Sequence, residues 1–183
     1  MERELVVLEE KNEAYQIQYH LQGMQPTCIA VDPFQSNRIY CGTFGRGVWL
    51  SDDRGDSWRP IGDSYRYFDF PKEDGILHSS ITAITVSSNK KVNGYGVVYV
   101  GTEPSALFSS ENGGETWNEC KNMKSLLSSY TWAFPPRPFT HHVRWITVDP
   151  NKQDTLHVSI EAGAVIQSRH FFSSLPQTIS LFS

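Results

Sequence analysis

A pair of glutamates in this sequence could carry out the chemistry of glycosidic bond cleavage. Glu103 follows "VYVGT" and Glu161 follows "LHVSI", so the two occupy nearly equivalent places in related stretches. Two carboxyl groups that flank a glycosidic bond can act as general acid and base. Repeat equivalence explains both glutamates without catalysis, and we favour that interpretation. The sequence therefore assigns no catalytic residue, and Glu103 and Glu161 are the only candidates.

A second group of side chains could bind an anionic or carbohydrate ligand. Arg137 and Arg144 could hold a carboxylate or a phosphate, and Trp132 beside "FPPRP" could stack on a sugar ring. Each has a structural alternative, because the arginines could pair with acidic side chains and the tryptophan could pack its own loop. The complete set of ligand-binding candidates is Arg46, Trp132, Arg137, His141, His142 and Arg144.

The two adjacent histidines do not indicate a metal site. His141 and His142 precede a predicted strand, where neighbouring side chains point to opposite faces. No carboxylate spacing supports a metal at this position. P-loop, GxGxxG, GxSxG and HExxH motifs do not occur in the sequence. We therefore predict no metal and no cofactor.

The composition indicates a packed β protein. Hydrophobic residues make up 39% and aromatic residues 13% of the 183 residues, with 13 glycines and 10 prolines for turns. The net charge of −4 and the lack of a basic stripe argue against nucleic-acid or membrane partners. The N-terminus is charged from its second residue, and its apolar run is too short for a signal peptide. We expect a cytoplasmic location.

One octapeptide pattern, Ser-x-Asp/Asn-x-Gly-x-x-Trp, occurs twice, as "SDDRGDSW" at 51–58 and "SENGGETW" at 110–117. The serine and Asp/Asn side chains can accept backbone N–H bonds within a turn, and the glycine can adopt a positive φ. The tryptophan can fold back as an apolar anchor. We interpret the pattern as structural, with Ser51, Asp53, Gly55 and Trp58 in the first copy and Ser110, Asn112, Gly114 and Trp117 in the second.

Three related segments position these octapeptides. Ile29, Ile84 and Ile146 correspond, and the stretches "IYCGT", "VYVGT" and "LHVSI" follow them at similar distances. Each segment has the pattern of four short strands in an antiparallel meander, and repetition at this spacing is typical of propeller blades. We predict an all-β fold: a partial β-propeller of four-stranded antiparallel blades, about three in number.

The predicted organisation has five parts. These are an incomplete first blade (1–24), a blade with the octapeptide 51–58 and a long loop (25–80), a blade with the octapeptide 110–117 and a long loop (81–142), the start of a third repeat (143–169), and a tail without repeat character (170–183). The third repeat departs from the octapeptide pattern at His170, Phe172 and Leu175, so the chain looks truncated.

The octapeptides and their flanks, "GTFGRGVWLSDDRGDSW" and "GTEPSALFSSENGGETW", resemble the Asp-box, or bacterial neuraminidase repeat (BNR), of sialidase-like β-propellers. The stretches "TWAFPPRPFTHHVRWITVDP" and "IEAGAVIQS" are similar to bacterial WD40/YVTN/BNR-like repeat proteins labelled glycosyl hydrolase. The resemblance covers residues 1 to about 169 and implies a propeller. Sialidases carry an Arg-Ile-Pro motif, whereas Arg38-Ile39 is followed here by Tyr40, so sialidase activity is not implied.

Three functions remain open. The first, which we favour, is a non-catalytic propeller for ligand or protein binding or scaffolding, as a fragment of a larger propeller. The second is a glycoside hydrolase or sialidase-like carbohydrate-active enzyme, and the third is an inactive truncated product. We expect a carbohydrate or protein ligand and self-association through open blade edges. The meander places the loops between the second and third strands of each blade, and the loops between successive blades, on one face, where the ligand-binding candidates gather.

Overall fold

The structure, a computed structural model, describes residues 4–62, 75–123, 141–161, 163–169 and 180–182. Strands in these residues form an N-terminal hairpin of β1 (Leu5–Lys11) and β2 (Ala14–His20) and three four-stranded sheets, which we call blades I, II and III. Blade I contains β3 (Pro26–Asp32), β4 (Gln35–Thr43), β5 (Val48–Ser51) and β6 (Arg59–Ile61). Blade II contains β7 (Ser80–Val92), β8 (Tyr95–Glu103), β9 (Leu107–Ser110) and β10 (Asn118–Glu119), followed by a 3₁₀ turn at Lys121–Met123. Blade III contains β11 (Val143–Val148), β12 (Thr155–Ile160), β13 (Val165–Arg169) and β14 (Ser180–Phe182).

Every blade is an antiparallel meander in chain order, so the prediction of an all-β partial propeller with about three blades is confirmed. The fourth strand of blade III, at 180–182, comes from the segment that the sequence assigned to the tail, and it pairs with β13. No helix in the described residues is long and apolar enough to cross a membrane.

The blades stack face to face through two apolar cores. Tyr40, Leu50, Phe108 and Trp117 lie in the core between blades I and II. Tyr99, Leu107, Val143, Leu156 and Val158 lie in the core between blades II and III. β8 contributes to both, because alternate side chains point to opposite faces of a strand. Blade II is therefore covered on both faces, while the hairpin and blade III form the two ends of the stack.

Two glycines permit this close stacking. A Cβ atom added at Gly42 would lie 2.6 Å from Cγ2 of Ile81, and one added at Gly101 would lie 2.5 Å from Cβ of Val143. Both distances are too short for non-bonded carbon atoms. The glycine of each "GT" dipeptide is thus required because the first, inner strand of the next blade packs directly against it.

Each octapeptide folds as a hydrogen-bonded turn between the third and fourth strands of its blade. The Ser51 hydroxyl accepts the Gly55 N–H at 2.7 Å, and an Asp53 carboxylate oxygen accepts the Ser57 N–H at 2.9 Å. Gly55 has a φ of 104°, which favours glycine. The indole N–H of Trp58 donates to the Gly55 carbonyl at 3.0 Å.

The second octapeptide repeats this geometry. The Ser110 hydroxyl accepts the Gly114 N–H at 2.8 Å, and the Asn112 side-chain oxygen accepts the Thr116 N–H at 3.0 Å. The indole N–H of Trp117 donates to the Gly114 carbonyl at 3.0 Å. The amide oxygen of Asn112 therefore accepts the hydrogen bond that the Asp53 carboxylate accepts in the first turn.

Polar bridges tie neighbouring blades together at the face that carries the octapeptides. The buried carboxylate of Asp32 accepts the Gly96 N–H of blade II at 3.1 Å. The buried guanidinium of Arg38 pairs with Asp52 in its own blade and donates to the Gly113 carbonyl of blade II. Buried charges of this kind are tolerated because each one is paired or hydrogen-bonded.

Lys90 makes the corresponding bridge one blade further on. Its ammonium group lies 3.4 Å from a carboxylate oxygen of Glu111 in blade II and 2.7 Å from one of Asp154 in blade III. Arg38 and Lys90 thus make corresponding polar contacts across the two successive blade pairs.

Replacement of Trp117 tests the structural role of the octapeptide tryptophans. Trp117 is 1% exposed and lies between two blades, so Trp117→Ala should lower the free energy of unfolding by about 3 to 5 kcal/mol. Trp58 is only half-buried, because the hairpin rather than a complete blade covers its side, so Trp58→Ala should cost clearly less. Denaturant unfolding measures both values, and equal losses would contradict the interblade role.

Acid should weaken the first octapeptide turn selectively. Hydrogen bonds from the Ser57 hydroxyl and N–H, and then from the Ser51 hydroxyl, lower the pKa of Asp53 to about 2. Because the folded pKa lies below the ordinary value of 3.8, the charged carboxylate stabilises the fold above pH 3.8, and this contribution disappears as the pH falls towards 2. Asn112 shows that an amide can replace this carboxylate.

Asp53→Asn should therefore melt like the parent near neutral pH and lose less stability than the parent between pH 4 and pH 2. Asn112→Asp is the matched reverse change and should increase the acid sensitivity. Melting temperatures across this pH range make the comparison, and identical acid profiles for parent and Asp53→Asn would show that Asp53 does not stabilise the turn.

Candidate functional site

The first strands of the three blades converge on a groove of about 530 Å³. The lining residues come in three equivalent runs, Thr27–Ala30 of β3, Thr82–Thr85 of β7 and Arg144–Thr147 of β11. Inner strands of neighbouring propeller blades meet around a common axis. The groove therefore lies on the side of the blades that would face the axial channel of a propeller. Its lining comes from strands rather than from loops.

Each inner strand carries a β-bulge at the same repeat position. The pairing with the second strand shifts between Pro26 and Cys28 in β3, between Ile81 and Ala83 in β7, and at the corresponding place in β11. A bulge inserts one unpaired residue and changes the direction of the neighbouring side chains. The inserted residues are Thr27, Thr82 and Arg144.

In blades I and II the inserted threonine has a structural role. The Thr27 hydroxyl contacts the Gly42 carbonyl at 3.0 Å and the Ile81 carbonyl of the next blade at 2.7 Å. The Thr82 hydroxyl donates to the Gly101 carbonyl at 3.2 Å. Each bulge threonine thus bonds the carbonyl of the glycine in the second strand of its own blade.

Blade III differs from this pattern at two consecutive residues. Arg144 stands where the other blades have threonine, and Trp145 stands where they have Cys28 and Ala83. Both side chains are exposed, and that of Trp145 is 67% exposed. Arg144 and Trp145 both line the groove, and Trp145 also pairs with Ser159 on the face of blade III that no further blade covers in the described structure. No carboxylate lines the groove among the described residues.

Arg46 and the two histidines lie in loops at one end of the blades. Arg46 is exposed in the β4–β5 loop, and the N–H groups on either side of it, of Gly45 and Gly47, donate to the Ser79 carbonyl. The carbonyl of His141 accepts the Ser105 N–H at 2.9 Å. The backbone just before the first strand of blades II and III thus accepts hydrogen bonds from the loop between the second and third strands of the preceding blade.

The side chains of His142 and Glu161 are in contact in this loop cluster. The His142 ring contacts the Glu161 carboxylate, and the His142 carbonyl accepts the Glu161 N–H at 3.0 Å. Burial, assisted by the neighbouring His142, lowers the pKa of His141 below its ordinary value. Glu103 lies at the equivalent end of β8, immediately before Pro104.

Of the candidate catalytic and ligand-binding residues that the structure describes, Arg144 alone is among those that line the groove. Trp132 and Arg137 lie outside the described residues. Within the described part of the chain, no group of three or more His, Cys, Asp or Glu side chains could hold a metal ion. Sequence reasoning missed Trp145, although a comparison of the three repeats at this one position, Cys, Ala and Trp, would have revealed it.

No protein-family model and no curated protein matches the sequence. Among solved structures, the crystal structure of the Niastella koreensis GH74 enzyme (NkGH74) is similar, with a TM-score of 0.60 and 15% sequence identity. The similarity covers 96% of this chain and 26% of the enzyme, so the chain spans about a quarter of the length of that glycoside hydrolase. At this identity the likeness shows the fold, and the chain shares the all-β blade architecture of part of a β-propeller glycoside hydrolase.

Proposed function

We propose that this chain is a carbohydrate-binding part of an Asp-box β-propeller and that its ligand lies in the axial groove. The observation that carries the proposal is the replacement of Thr-Cys and Thr-Ala by Arg144-Trp145 at the bulge of blade III. The threonines support the fold through hydrogen bonds, whereas Arg144 and Trp145 are exposed and line the groove. A departure from the repeat pattern at residues that line a cavity gives that cavity a side-chain set suited to a ligand.

The chemistry of the pair fits a sugar that carries a carboxylate. The exposed indole of Trp145 offers a flat apolar surface for a pyranose ring, and the guanidinium of Arg144 can bind a carboxylate with two parallel hydrogen bonds. Threonine hydroxyls along the same strands add neutral hydrogen-bonding groups. The lack of a carboxylate among the described residues that line the groove favours binding over hydrolysis, because most glycosidases use a pair of carboxyl groups.

A titration with two oligosaccharides tests this function. Tetragalacturonate should bind more tightly than cellotetraose, because only the former carries carboxylates. Trp145→Ala should weaken binding of both by about tenfold, the value of one aromatic contact. Arg144→Gln should weaken tetragalacturonate alone by about tenfold or more, the value of a hydrogen bond to a charged group.

Trp49→Ala is the matched control, because Trp49 is a partly exposed tryptophan outside the groove lining, and it should leave both affinities unchanged. Trp145→Ala should also keep the parent melting temperature, since its side chain is largely exposed. The proposal would be contradicted if Trp145→Ala bound the sugars as tightly as the parent does. It would also be contradicted if the parent bound neither sugar. The second result is the one expected of an inactive truncated product.

A glycoside hydrolase is the second candidate, and the fold shared with the Niastella koreensis enzyme favours it. The catalytic groups would then come from the loop cluster, where Glu161 is already paired with His142 and Glu103 occupies the equivalent place in blade II. Turnover of chromogenic glycosides by the parent, abolished in Glu161→Gln or Glu103→Gln with unchanged melting, would establish this function. A parent protein that binds sugars without turnover would exclude it for those substrates.

A further inference from the structure

Blade II carries two Asn-Gly pairs that differ in their surroundings. Asn93-Gly94 connects β7 to β8, and Asn112-Gly113 lies in the second octapeptide. An asparagine before glycine is the dipeptide most open to spontaneous deamidation, because glycine has no side chain to shield its amide nitrogen from the asparagine side chain. The two pairs offer the same local chemistry, so any difference in their reactivity comes from the fold.

The loop of Asn93 and Gly94 is open on all sides. Val92 pairs directly with Tyr95, so the loop has two residues. The φ angles of Asn93 and Gly94 are 51° and 92°, and two positive values are what a type I′ turn requires. The Asn93 side chain is exposed and makes no hydrogen bond among the described residues. A Cβ atom added at Gly94 would meet no atom within 4 Å beyond its chain neighbours, so a ring has room to form there.

The side chain of Asn112, in contrast, is held by three hydrogen bonds. Its oxygen accepts the Thr116 N–H at 3.0 Å and the Ser110 hydroxyl at 2.9 Å, and its nitrogen donates to the Thr116 hydroxyl at 2.9 Å. Gly113 is buried, and a Cβ atom added there would lie 3.0 Å from Nη2 of Arg38. A reaction at Asn112 must therefore break these hydrogen bonds in a crowded turn.

We propose that Asn93 is a site of spontaneous deamidation in the folded protein, whereas the octapeptide turn protects Asn112. A base removes the amide proton of Gly94, and the amide nitrogen attacks Cγ of Asn93. A bond forms between these two atoms, the Cγ–Nδ2 bond breaks, and the side-chain nitrogen takes up a proton and leaves as ammonia.

The product of this step is a five-membered succinimide ring. Water then adds to either carbonyl of the ring and breaks one of its two C–N bonds, which leaves aspartate or isoaspartate in place of Asn93. Neither step oxidises or reduces any atom, and water is the only co-reactant.

The reactive loop lies at the junction of blades I and II. The side-chain nitrogen of Gln35 donates to the Gly94 carbonyl at 3.3 Å, and the Gly96 N–H donates to the Asp32 carboxylate at 3.1 Å. Isoaspartate adds one carbon to the main chain and one negative charge to the loop. Because a two-residue loop fixes the pairing of its strands, the added carbon should displace the loop from blade I and lower the stability of the junction.

Peptide mapping by mass spectrometry of the full chain, stored at mildly alkaline pH, tests the site. The peptide that contains Asn93 should gain one mass unit as the amide becomes a carboxyl group. Asn112 should react about tenfold more slowly or less, because its hydrogen bonds must break first. In denaturant, both asparagines should react at similar rates, since only the dipeptide then matters.

Two variants separate the effects of the two surroundings. Asn93→Gln should abolish the reaction at this position, because the longer side chain cannot close a five-membered ring on Gly94. Thr116→Val removes one partner of Asn112 at an exposed position, so it should speed the reaction at Asn112 and leave that at Asn93 unchanged. Stored parent protein should melt at a lower temperature than fresh protein, whereas stored Asn93→Gln should melt like fresh Asn93→Gln.

An unmodified Asn93 in folded protein, after a time in which the denatured chain has reacted, would overturn the proposal. Equal rates at Asn93 and Asn112 in the folded protein would overturn it as well. A mass gain at Asn93 that outpaces Asn112 in the fold but not in denaturant would establish the site.

Discussion

The close approach of each inner strand to a glycine of the preceding blade is the contact on which this structure depends. Gly42 receives Ile81, and Gly101 receives Val143, at distances that leave no room for a Cβ atom. Because the blades approach so closely at this point, β3, β7 and β11 converge and their bulges lie side by side on the wall of one groove. The corresponding residue of blade III is Ser159, on a face that no further blade covers in the described structure.

The contacts that hold the blades together do not depend on the bulge residues of blade III. Apolar cores between the blades, the octapeptide turns and the bridges of Arg38 and Lys90 hold the blades together, and neither Arg144 nor Trp145 belongs to the apolar cores or the bridges. The bulge residues of blade III are not needed for these contacts, so they can change without loss of the fold. Arg144 and Trp145 add a cation and an indole to the groove lining, on a strand whose position is set by its packing on blade II.

Local patterns in the sequence predicted the parts of the fold that depend on local contacts. The turn geometry of Ser51 and Gly55 follows from neighbouring residues, and the equivalence of Ile84 and Ile146 follows from the repeat. The Arg38–Gly113 contact joins residues 75 positions apart, and no local pattern specifies it. Trp145 was missed because "WITV" has the alternation of an interblade strand, and the exposure of Ile29 depends on how much of blade I the hairpin covers. Both are properties of the assembled stack.

A variant that restores the repeat pattern tests the central claim most directly. Arg144→Thr combined with Trp145→Ala gives blade III the residues that blade II carries at its bulge. If the Arg-Trp pair serves a ligand, this variant should melt at the parent temperature or above it and should lose binding of tetragalacturonate in the same titration. A clear drop in melting temperature would contradict the account, because it would show that Arg144 and Trp145 are part of what holds the blade together.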